Sequence, residues 1–257
     1  MSKNRFLVLG TDLRQNYLAR FLEEKGHVAI RATRFSDEKC DAVLLPLSET
    51  NQYMEQIYKR IHEEKVIFGC NLDKKWTGFC ERAGLRFVDY MKVEGIACLN
   101  AVATAEGAIA EALQQGGSTI YGSRCLVTGY GRCGSVLAGR LTALGATVTV
   151  LERRKEKRAR ARCFVAAAYD FDQVPSAVLS RQDYVFNTVP SKVVHSRMID
   201  RMDGHVTILD LASKPGGVDF EHCRKKNINA KLCPGLPGVY APKSSARILI
   251  EVIENEM

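Results

Sequence analysis

The first ninety residues alternate between short apolar runs and amphipathic segments. The run Arg5–Leu9 predicts a buried strand. Apolar residues at 17, 18, 21 and 22 predict a helix over 13–25, which Gly26 ends. Further strands are predicted at 27–31, 42–45, 66–68 and 85–88, with helices near 51–64 and 73–83. Because strands and helices alternate, this part of the chain predicts a parallel sheet with helices on both faces.

The rest of the chain repeats the alternation after a helix-forming segment at 100–113, which ends at Gly116 and Gly117. Strands are predicted near 125–128, 147–151, 164–166, 183–187, 206–210 and 229–232, and a last helix at 246–254. The predicted fold class is α/β, with two Rossmann-like parallel-sheet domains and an inter-domain helix. The expected domains are 1–95, with residues 243–257 packing back on it, and a dinucleotide-binding domain over 100–238.

A G-x-G-x-x-G motif lies between a predicted strand and a predicted helix. In this context Gly129 permits a tight turn, Gly131 lets backbone N–H groups approach a pyrophosphate, and Gly134 lets the helix pack closely. The phosphates would bind at the N-terminus of the helix. The alternative is an ordinary βαβ unit whose glycines serve packing only. The predicted cofactor-binding residues here are Gly129, Tyr130, Gly131, Arg132, Cys133 and Gly134.

The end of the next strand carries conflicting signals for the choice of cofactor. An acidic residue there bonds the ribose hydroxyls of NAD, and an arginine accommodates the 2′-phosphate of NADP. Glu152 occupies the acidic position, and Arg153 and Arg154 follow it directly. Since arginine can hold a phosphate with two hydrogen bonds and Glu152 can point to solvent, we favour NADP, with NAD as the alternative.

Loops after three later strands are expected to face the same crevice. Asn187 and Thr188 are candidates for bonding the nicotinamide ribose or carboxamide, with Val189 and Pro190 shaping their loop, unless this is a plain turn. Asp210 is either capped by backbone N–H groups or catalytic.

Basic residues on crevice loops would suit a carboxylate substrate, although each taken alone fits an ordinary surface position. These candidates are Arg14, Arg132, Lys214 and Lys243. Lys243 and Ser244 also open the last helix, whose N-terminal donors attract anions. Glu106 is a candidate base, and Thr104 and Ser213 are further candidates for substrate binding.

Composition narrows the class of protein. The net charge of +8 is local, since residues 153–162 hold a surplus of six positive charges and the remainder of the chain is only +2. No aromatic residues interleave with this cluster, so no nucleic-acid partner is expected. The nine cysteines form no C-x-x-C pair and the five histidines show no ligand spacing, which predicts reduced thiols and no metal site. No signal peptide or membrane-spanning run is expected.

Five motifs, in order, resemble those of the dipicolinate synthase A-subunit family, and the match covers nearly the whole chain. At fold level the chain also resembles the two-domain dehydrogenases for hydroxy acids and alanine, whose Arg-Glu-His catalytic set has no clear counterpart here. The motifs are N-A-x-x-T-A-E-G-A-I-A from Asn100, the glycine motif, N-T-V-P from Asn187, D-L-A-S-x-P-G-G-V-D from Asp210 and P-G-L-P-G-x-x-A-P-K from Pro234.

The resemblance implies oxidation of dihydrodipicolinate to dipicolinate, with hydride transfer to NADP, during spore formation. It also implies a partner, the flavoprotein-like B-subunit of dipicolinate synthase, hence a hetero-oligomer, and a location in the cytoplasm of the mother cell. A substrate with two carboxylates would suit Lys214 or Arg14 at one end and Lys243 with Ser244 at the other. The catalytic candidates are Glu106, Asp210 and Lys243.

Two other functions stay open. The chain could keep its cofactor bound with no net redox, as adenosylhomocysteine hydrolases do, but those enzymes are much longer and carry catalytic cysteine and histidine residues absent here. It could also be a non-catalytic NADP-binding or regulatory subunit that needs its partner for activity.

Overall fold

A computed structural model describes residues 3–36, 38–47, 50–58 and 66–257. These residues form two compact units. The first unit combines Met1–Asn100 with Pro237–Met257, and the second is Ala101–Leu236. Both contain a fully parallel sheet, so the predicted α/β fold class with two parallel-sheet domains is confirmed.

The first unit contains a five-stranded sheet in the order β2-β1-β3-β4-β5. Its strands are β1 (Arg5–Leu9), β2 (Val28–Ala32), β3 (Ala42–Leu44), β4 (Val66–Gly69) and β5 (Arg86–Asp89). Its helices include α1 (Leu13–Glu24), α2 (Thr50–Tyr58) and α3 (Lys74–Arg82), and a 3₁₀ turn follows β5 at Tyr90–Lys92. The helix predicted over 51–64 is observed as far as Tyr58, and the remainder of that range lies outside the described residues.

The last helix, α11 (Pro242–Glu256), packs against α1 within this unit. Leu249 and Ile253 of α11 share one apolar core with Leu18 and Leu22 of α1. An ion pair between Lys25 Nζ and Glu254 Oε1, 2.7 Å long, closes one end of the contact. The helix begins four residues before the predicted position because Pro242 supplies a favourable first residue.

The second unit contains a six-stranded sheet in the order β11-β10-β9-β6-β7-β8. Its strands are β6 (Arg124–Thr128), β7 (Thr147–Leu151), β8 (Ala167–Tyr169), β9 (Tyr184–Asn187), β10 (Thr207–Asp210) and β11 (Asn229–Leu232). Counted within the unit, this is the order 3-2-1-4-5-6 of dinucleotide-binding folds, whose halves meet between β6 and β9.

Helices cover both faces of this sheet. They are α5 (Arg132–Ala143), α6 (Lys155–Arg162), α7 (Ser176–Leu179), α8 (Ser196–Ile199) and α9 (Phe220–Lys225). The short α10 (Leu236–Tyr240) follows β11. The strand predicted at 164–166 is wrong by three positions. Phe164 is exposed there, and the chain turns before pairing with β7 at Ala167.

The boundary between the units falls within α4 (Glu94–Gly116), which begins six residues earlier than predicted. By length and composition α4 is the one described helix that could span a membrane. Its 18-residue window has a mean hydropathy of 1.4, and half of that window is buried within the fold. Core helices of soluble proteins share these properties, because an alanine-rich buried helix is apolar on most sides.

Candidate functional site

The glycine turn between β6 and α5 has the geometry that the motif predicts. Gly129 has a φ of +86°, which favours glycine, and a Cβ there would lie 2.7 Å from the Thr188 hydroxyl. A Cβ on Gly134 would overlap the carbonyl oxygen of Gly129. Both glycines are therefore required for the close approach of helix, turn and neighbouring loop.

Gly131 differs from these two glycines because the space beside it is open. No atom of the described residues lies within 4 Å of a Cβ built there. Gly131 is also the N-cap of α5, which extends for 12 residues. Unpaired N–H groups and the helix dipole at this end favour an anion, and the missing side chain leaves room for one. The turn therefore fits the pyrophosphate of a dinucleotide.

The carboxylate of Glu152 is buried and faces this turn, so a position pointing to solvent is wrong. Its two oxygens accept hydrogen bonds of 3.0 Å from the backbone N–H groups of Tyr130 and Arg154. Burial alone would raise the pKa of Glu152. The backbone bonds from Arg154 and Tyr130, with the nearby charges of Lys157 and Arg154, outweigh it and hold the pKa below its usual value. Glu152 is thus a fixed negative charge at the end of β7.

The basic cluster at 153–162 divides into anchored and solvent-exposed side chains. Arg158 is anchored, since its guanidinium donates to the carbonyl of Glu152 and pairs with Asp170 at 2.7 Å. Arg162 donates to the carbonyl of Ala168. Arg153 and Arg154 are exposed at the start of α6. Arg158 therefore does not belong to a solvent-exposed helix face.

Three buried side chains link the ends of β6, β9 and β10. The Thr128 hydroxyl donates to Asn187 Oδ1 over 2.6 Å, and Asn187 Nδ2 donates to Asp210 Oδ1 over 2.7 Å. Asn187 also accepts from the N–H of Val189 and donates to its carbonyl. Its amide is therefore fully engaged within the protein. The prediction that Asn187 bonds the nicotinamide is wrong, and it fixes the loop over residues 187–190 instead. Sequence reasoning overlooked Thr128, although a threonine ending a strand beside the motif was a usable signal.

Asp210 is a structural carboxylate and not an accessible base. Besides Asn187, it accepts bonds from the N–H groups of Ala212, Gly217 and Val218 at 3.1, 2.7 and 3.1 Å. The side chain is 0% exposed. Of the two roles open from sequence, capping by backbone N–H groups is the one found. The loop that it organises exposes Ser213 and Lys214, while Thr188 donates to the carbonyl of Thr128 and Pro190 is exposed.

The predicted base Glu106 lies on an exposed face of α4 and pairs with Arg140 at 3.2 Å. Arg140 is in the last turn of α5, eight residues or about 12 Å from the start of that helix. Glu106 therefore neighbours the end of α5 farther from the glycine turn, which corrects its assignment as a crevice base. Thr104, two residues earlier, is buried and hydrogen-bonded to the Cys133 thiol at the start of α5.

In the first unit, the structure brings together predicted residues that are far apart in sequence. Arg14, in the first turn of α1, is buried and donates to the hydroxyl of Ser245 in α11 over 3.3 Å. Burial lowers the pKa of Arg14. Lys243 and Ser244 are exposed in the first turn of α11. The sequence pattern predicted Lys243 and Ser244 but not the next residue, Ser245. Nothing in the sequence indicated a role for the buried Tyr90 near Arg14.

The described residues contain no group of three or more His, Cys, Asp or Glu side chains arranged to hold a metal ion. The nine cysteines, all within the described ranges, form no disulfide bond with one another.

Residues 98–212 match the family described as D-isomer specific 2-hydroxyacid dehydrogenase, NAD binding domain. The A-subunit of dipicolinate synthase from Bacillus subtilis (strain 168) is 30% identical over 97% of this chain and 94% of its own length. The crystal structure of the corresponding A-subunit from Bacillus halodurans has a TM-score of 0.85 and 30% identity, covering 98% of this chain and 97% of that one.

Likeness to dehydrogenases extends to more distant structures. D-lactate dehydrogenase from Escherichia coli has a TM-score of 0.65 and 16% identity, covering 98% of this chain and 96% of that one. At that identity the match concerns the fold alone. The matched NAD-binding domain, independently of this likeness, supports a nicotinamide cofactor and an NAD(P)-dependent oxidoreductase.

Proposed function

This chain belongs to the dipicolinate synthase A-subunit family, and on that premise we propose that it oxidises dihydrodipicolinate to dipicolinate with NADP as the hydride acceptor. The observation that carries the proposal is the glycine turn, with open space at Gly131 and the N-terminus of α5 behind it. When bound, the nicotinamide supplies the hydride-accepting carbon, while the ring of the substrate becomes aromatic and loses one proton.

The residues of this chain would bind and orient the two rings. The turn at residues 129–134 would hold the pyrophosphate, and the loops at 187–190 and 210–217 would surround the nicotinamide. Thr128, Asn187 and Asp210 would keep these loops in place through buried hydrogen bonds. Because Asp210 and Glu106 are both engaged, the proposal assigns neither of them as the base.

NADP is proposed over NAD because two exposed arginines, Arg153 and Arg154, lie at the adenosine end of the turn. Both oxygens of Glu152 already accept hydrogen bonds from backbone N–H groups, so this carboxylate does not require ribose hydroxyls as donors. One observation favours NAD as a second candidate. The buried carboxylate of Glu152 is held in its charged form beside the turn, where it could also accept the 2′-hydroxyl of NAD.

Matched variants separate the two cofactors. In the double variant Arg153→Ala/Arg154→Ala, the Kd for NADPH should rise roughly 10–100-fold while the Kd for NADH changes little, since each charged hydrogen bond to phosphate contributes strongly. Arg181→Ala removes a positive charge just before β9, at the amino end of that strand and away from the glycine turn at the carboxyl end of β6, and should change neither value. A loss of NADH affinity in Glu152→Gln, with NADPH binding unaffected by the arginine substitutions, would assign NAD.

We also propose that the chain works in the cytoplasm of the mother cell of a sporulating bacterium, in an oligomer with the flavoprotein-like B-subunit of dipicolinate synthase. The relative from Bacillus subtilis carries the name of one subunit of an enzyme, which implies a partner for that protein. No nucleic acid or membrane enters the proposal. A regulatory role, in which the chain binds NADP but needs the partner for turnover, is a second candidate. It is favoured by the engagement of Glu106 and Asp210, the two carboxylates among the catalytic candidates.

One titration followed by one assay distinguishes these functions. The full chain should enhance NADPH fluorescence, and Gly131→Ala should abolish this effect without loss of folding. Addition of dihydrodipicolinate and NADP should then produce the ultraviolet absorbance of dipicolinate. Binding without turnover, restored by the B-subunit, would support the regulatory role. Absence of binding to either nucleotide would refute both functions.

A further inference from the structure

Arg14 is a buried cation without a counter-ion among the residues that the structure describes. Its side chain is 6% exposed, and it makes no ion pair within those residues. The guanidinium donates to Ser245 Oγ, and its Nε has no hydrogen-bond partner. Because arginine has five N–H donors and keeps its charge in proteins, most of its capacity is unused. Burial of such a charged group is unfavourable unless an anion pairs with it.

A second buried polar group nearby also has no partner. The hydroxyl of Tyr90 is completely buried, and the described residues offer it no hydrogen bond. Burial raises the pKa of this hydroxyl and the charge of Arg14 lowers it, so the two groups interact electrostatically. Phe68 stacks on the Tyr90 ring and helps to fix its orientation. Each of these buried polar groups lacks a partner that a small polar ligand could supply.

The N-terminus of α11 is beside the same guanidinium, through Ser245. Pro242 occupies the first position and lacks an N–H, while Lys243 and Ser244 have backbone N–H groups with no acceptor inside the helix. The helix has 15 residues, so its dipole adds a positive potential at this end. Space on the other side of Arg14 is limited, because a Cβ on Gly238 would lie 3.2 Å from Nη2.

The position within the first unit is one where open α/β sheets bind ligands. β1 connects to β2 on one side of the sheet and its other neighbour β3 connects to β4 on the opposite side, so the connections diverge at the carboxyl ends of β1 and β3. In sheets of this order, ligands bind at that point. Arg14 lies five residues after the end of β1, and Tyr90 directly follows β5. Both residues therefore come after the carboxyl ends of parallel strands of one sheet.

We propose that Arg14, Tyr90, Ser245 and the first turn of α11, together the Arg14 site, bind one carboxylate of a small organic acid. The inference rests on the proposed function, because it assigns one of the two carboxylates of dihydrodipicolinate to this site. A single negative charge matches the single buried guanidinium, whose planar fork suits a carboxylate. Asp12, which acts on Arg14 electrostatically, disfavours a doubly charged phosphate.

Binding of the product dipicolinate to the full chain tests the site directly by calorimetry. Arg14→Gln should weaken dipicolinate binding roughly 10–100-fold, the loss expected when a charged hydrogen-bond partner is removed. Its Kd for NADPH should stay the same, since the glycine turn belongs to the other unit. Arg20→Gln, in the same helix but exposed and paired with Glu24, should leave both values unchanged. Unchanged dipicolinate affinity in Arg14→Gln would overturn the proposal.

Thermal unfolding distinguishes ligand binding from a structural role. Without ligand, Arg14→Gln should melt at the same temperature as the wild type or higher, because an unpaired buried charge is removed. Gly238→Ala, which presses on the guanidinium and keeps its charge, should also weaken dipicolinate binding. A lower melting temperature for Arg14→Gln with normal dipicolinate affinity in Gly238→Ala would show a purely structural arginine and overturn the proposal.

The site and the proposed function can fail separately. Suppose that the wild-type chain does not bind dipicolinate but gains thermal stability from acetate or malonate, and that Arg14→Gln loses this gain. That result would support the carboxylate site and refute this substrate. Stabilisation by phosphate alone would refute the carboxylate assignment. No response to any of these anions would refute the site itself.

Discussion

The side-chain amide of Asn187 donates to the carboxylate of Asp210 over 2.7 Å, and both side chains are completely buried at the ends of β9 and β10. Thr128 extends this link to the end of β6. Three neighbouring strand ends are thus joined beneath the loops that would surround the nicotinamide. The network uses side chains that resemble catalytic groups in sequence, but its observed role is to fix the backbone.

Replacement of Asp210 by alanine should destabilise the chain strongly. Four donors lose their acceptor together, namely Asn187 Nδ2 and the N–H groups of Ala212, Gly217 and Val218. Each unsatisfied buried donor costs about 1–3 kcal/mol, so we expect a loss on the order of 3 kcal/mol or more in the free energy of unfolding. Urea unfolding measures it. Asp203→Ala, at an exposed position before β10, should stay within about 0.5 kcal/mol of wild type.

Two glycines of α5 should respond oppositely to alanine. In Gly134→Ala the new methyl group overlaps the carbonyl oxygen of Gly129, so the turn must move and NADPH affinity should fall at least about tenfold. In Gly139→Ala the new methyl group meets nothing within 4 Å, and stability should rise by about 0.5–1 kcal/mol with unchanged NADPH affinity. Fluorescence titration measures the NADPH affinity, and thermal unfolding measures the stability. Equal effects in the two variants would contradict the close packing at Gly134.

Much of the second unit was predictable because its signals are local. The glycine motif follows a strand of branched residues and opens a helix, and the structure has both elements at those positions. The strand predicted at 164–166 failed because Phe164, apolar by type, is 61% exposed in a turn. Local hydrophobicity cannot distinguish a buried residue from an exposed one when neighbouring elements decide the burial.

The roles of individual polar residues were not predictable, because they depend on contacts distant in sequence. Two of the N–H groups that cap Asp210, those of Gly217 and Val218, reach the carboxylate only after the chain turns at Gly216. Arg14 and Ser245 are 231 positions apart and meet only when α11 packs on α1. Residue type identified Asp210 and Arg14 as candidates in the sequence, but not Ser245. Only the fold distinguishes a capping carboxylate from an accessible one.

The cysteines should divide into reactive and protected groups. Cys98 and Cys163 are exposed, so we expect two thiols to react quickly with a disulfide reagent in the folded chain. Burial raises the pKa of Cys70 to about 12 and that of Cys125, Cys223 and Cys233 to about 11, which keeps these thiols protonated and slow.

Cys133 adds a test of nucleotide binding to this experiment. It is half-buried in the glycine turn, so it should react slowly, and saturating NADPH should protect it further. Mass spectrometry of labelled peptides over time identifies each site. The variant Cys98→Ser/Cys163→Ser removes the fast phase and isolates the signal of Cys133. Labelling of Cys133 at one rate with and without NADPH would argue against a nucleotide at this turn.

Glu152 should make the stability of the chain sensitive to acid. Burial raises its pKa, but the backbone N–H groups of Arg154 and Tyr130 and nearby cations outweigh burial, so the pKa in the folded state lies below the unfolded value. A depressed pKa contributes stability that is present above the unfolded pKa and is lost as the pH falls through the folded pKa. The free energy of unfolding of the wild type should therefore fall as the pH is lowered from neutral to about 4, and that of Glu152→Gln should fall less. Urea unfolding at the two pH values measures the difference. Glu251→Gln, at an exposed position of α11, should retain the wild-type dependence of unfolding free energy on pH. If Glu152→Gln also showed that same dependence, the charge of Glu152 would not stabilise the turn.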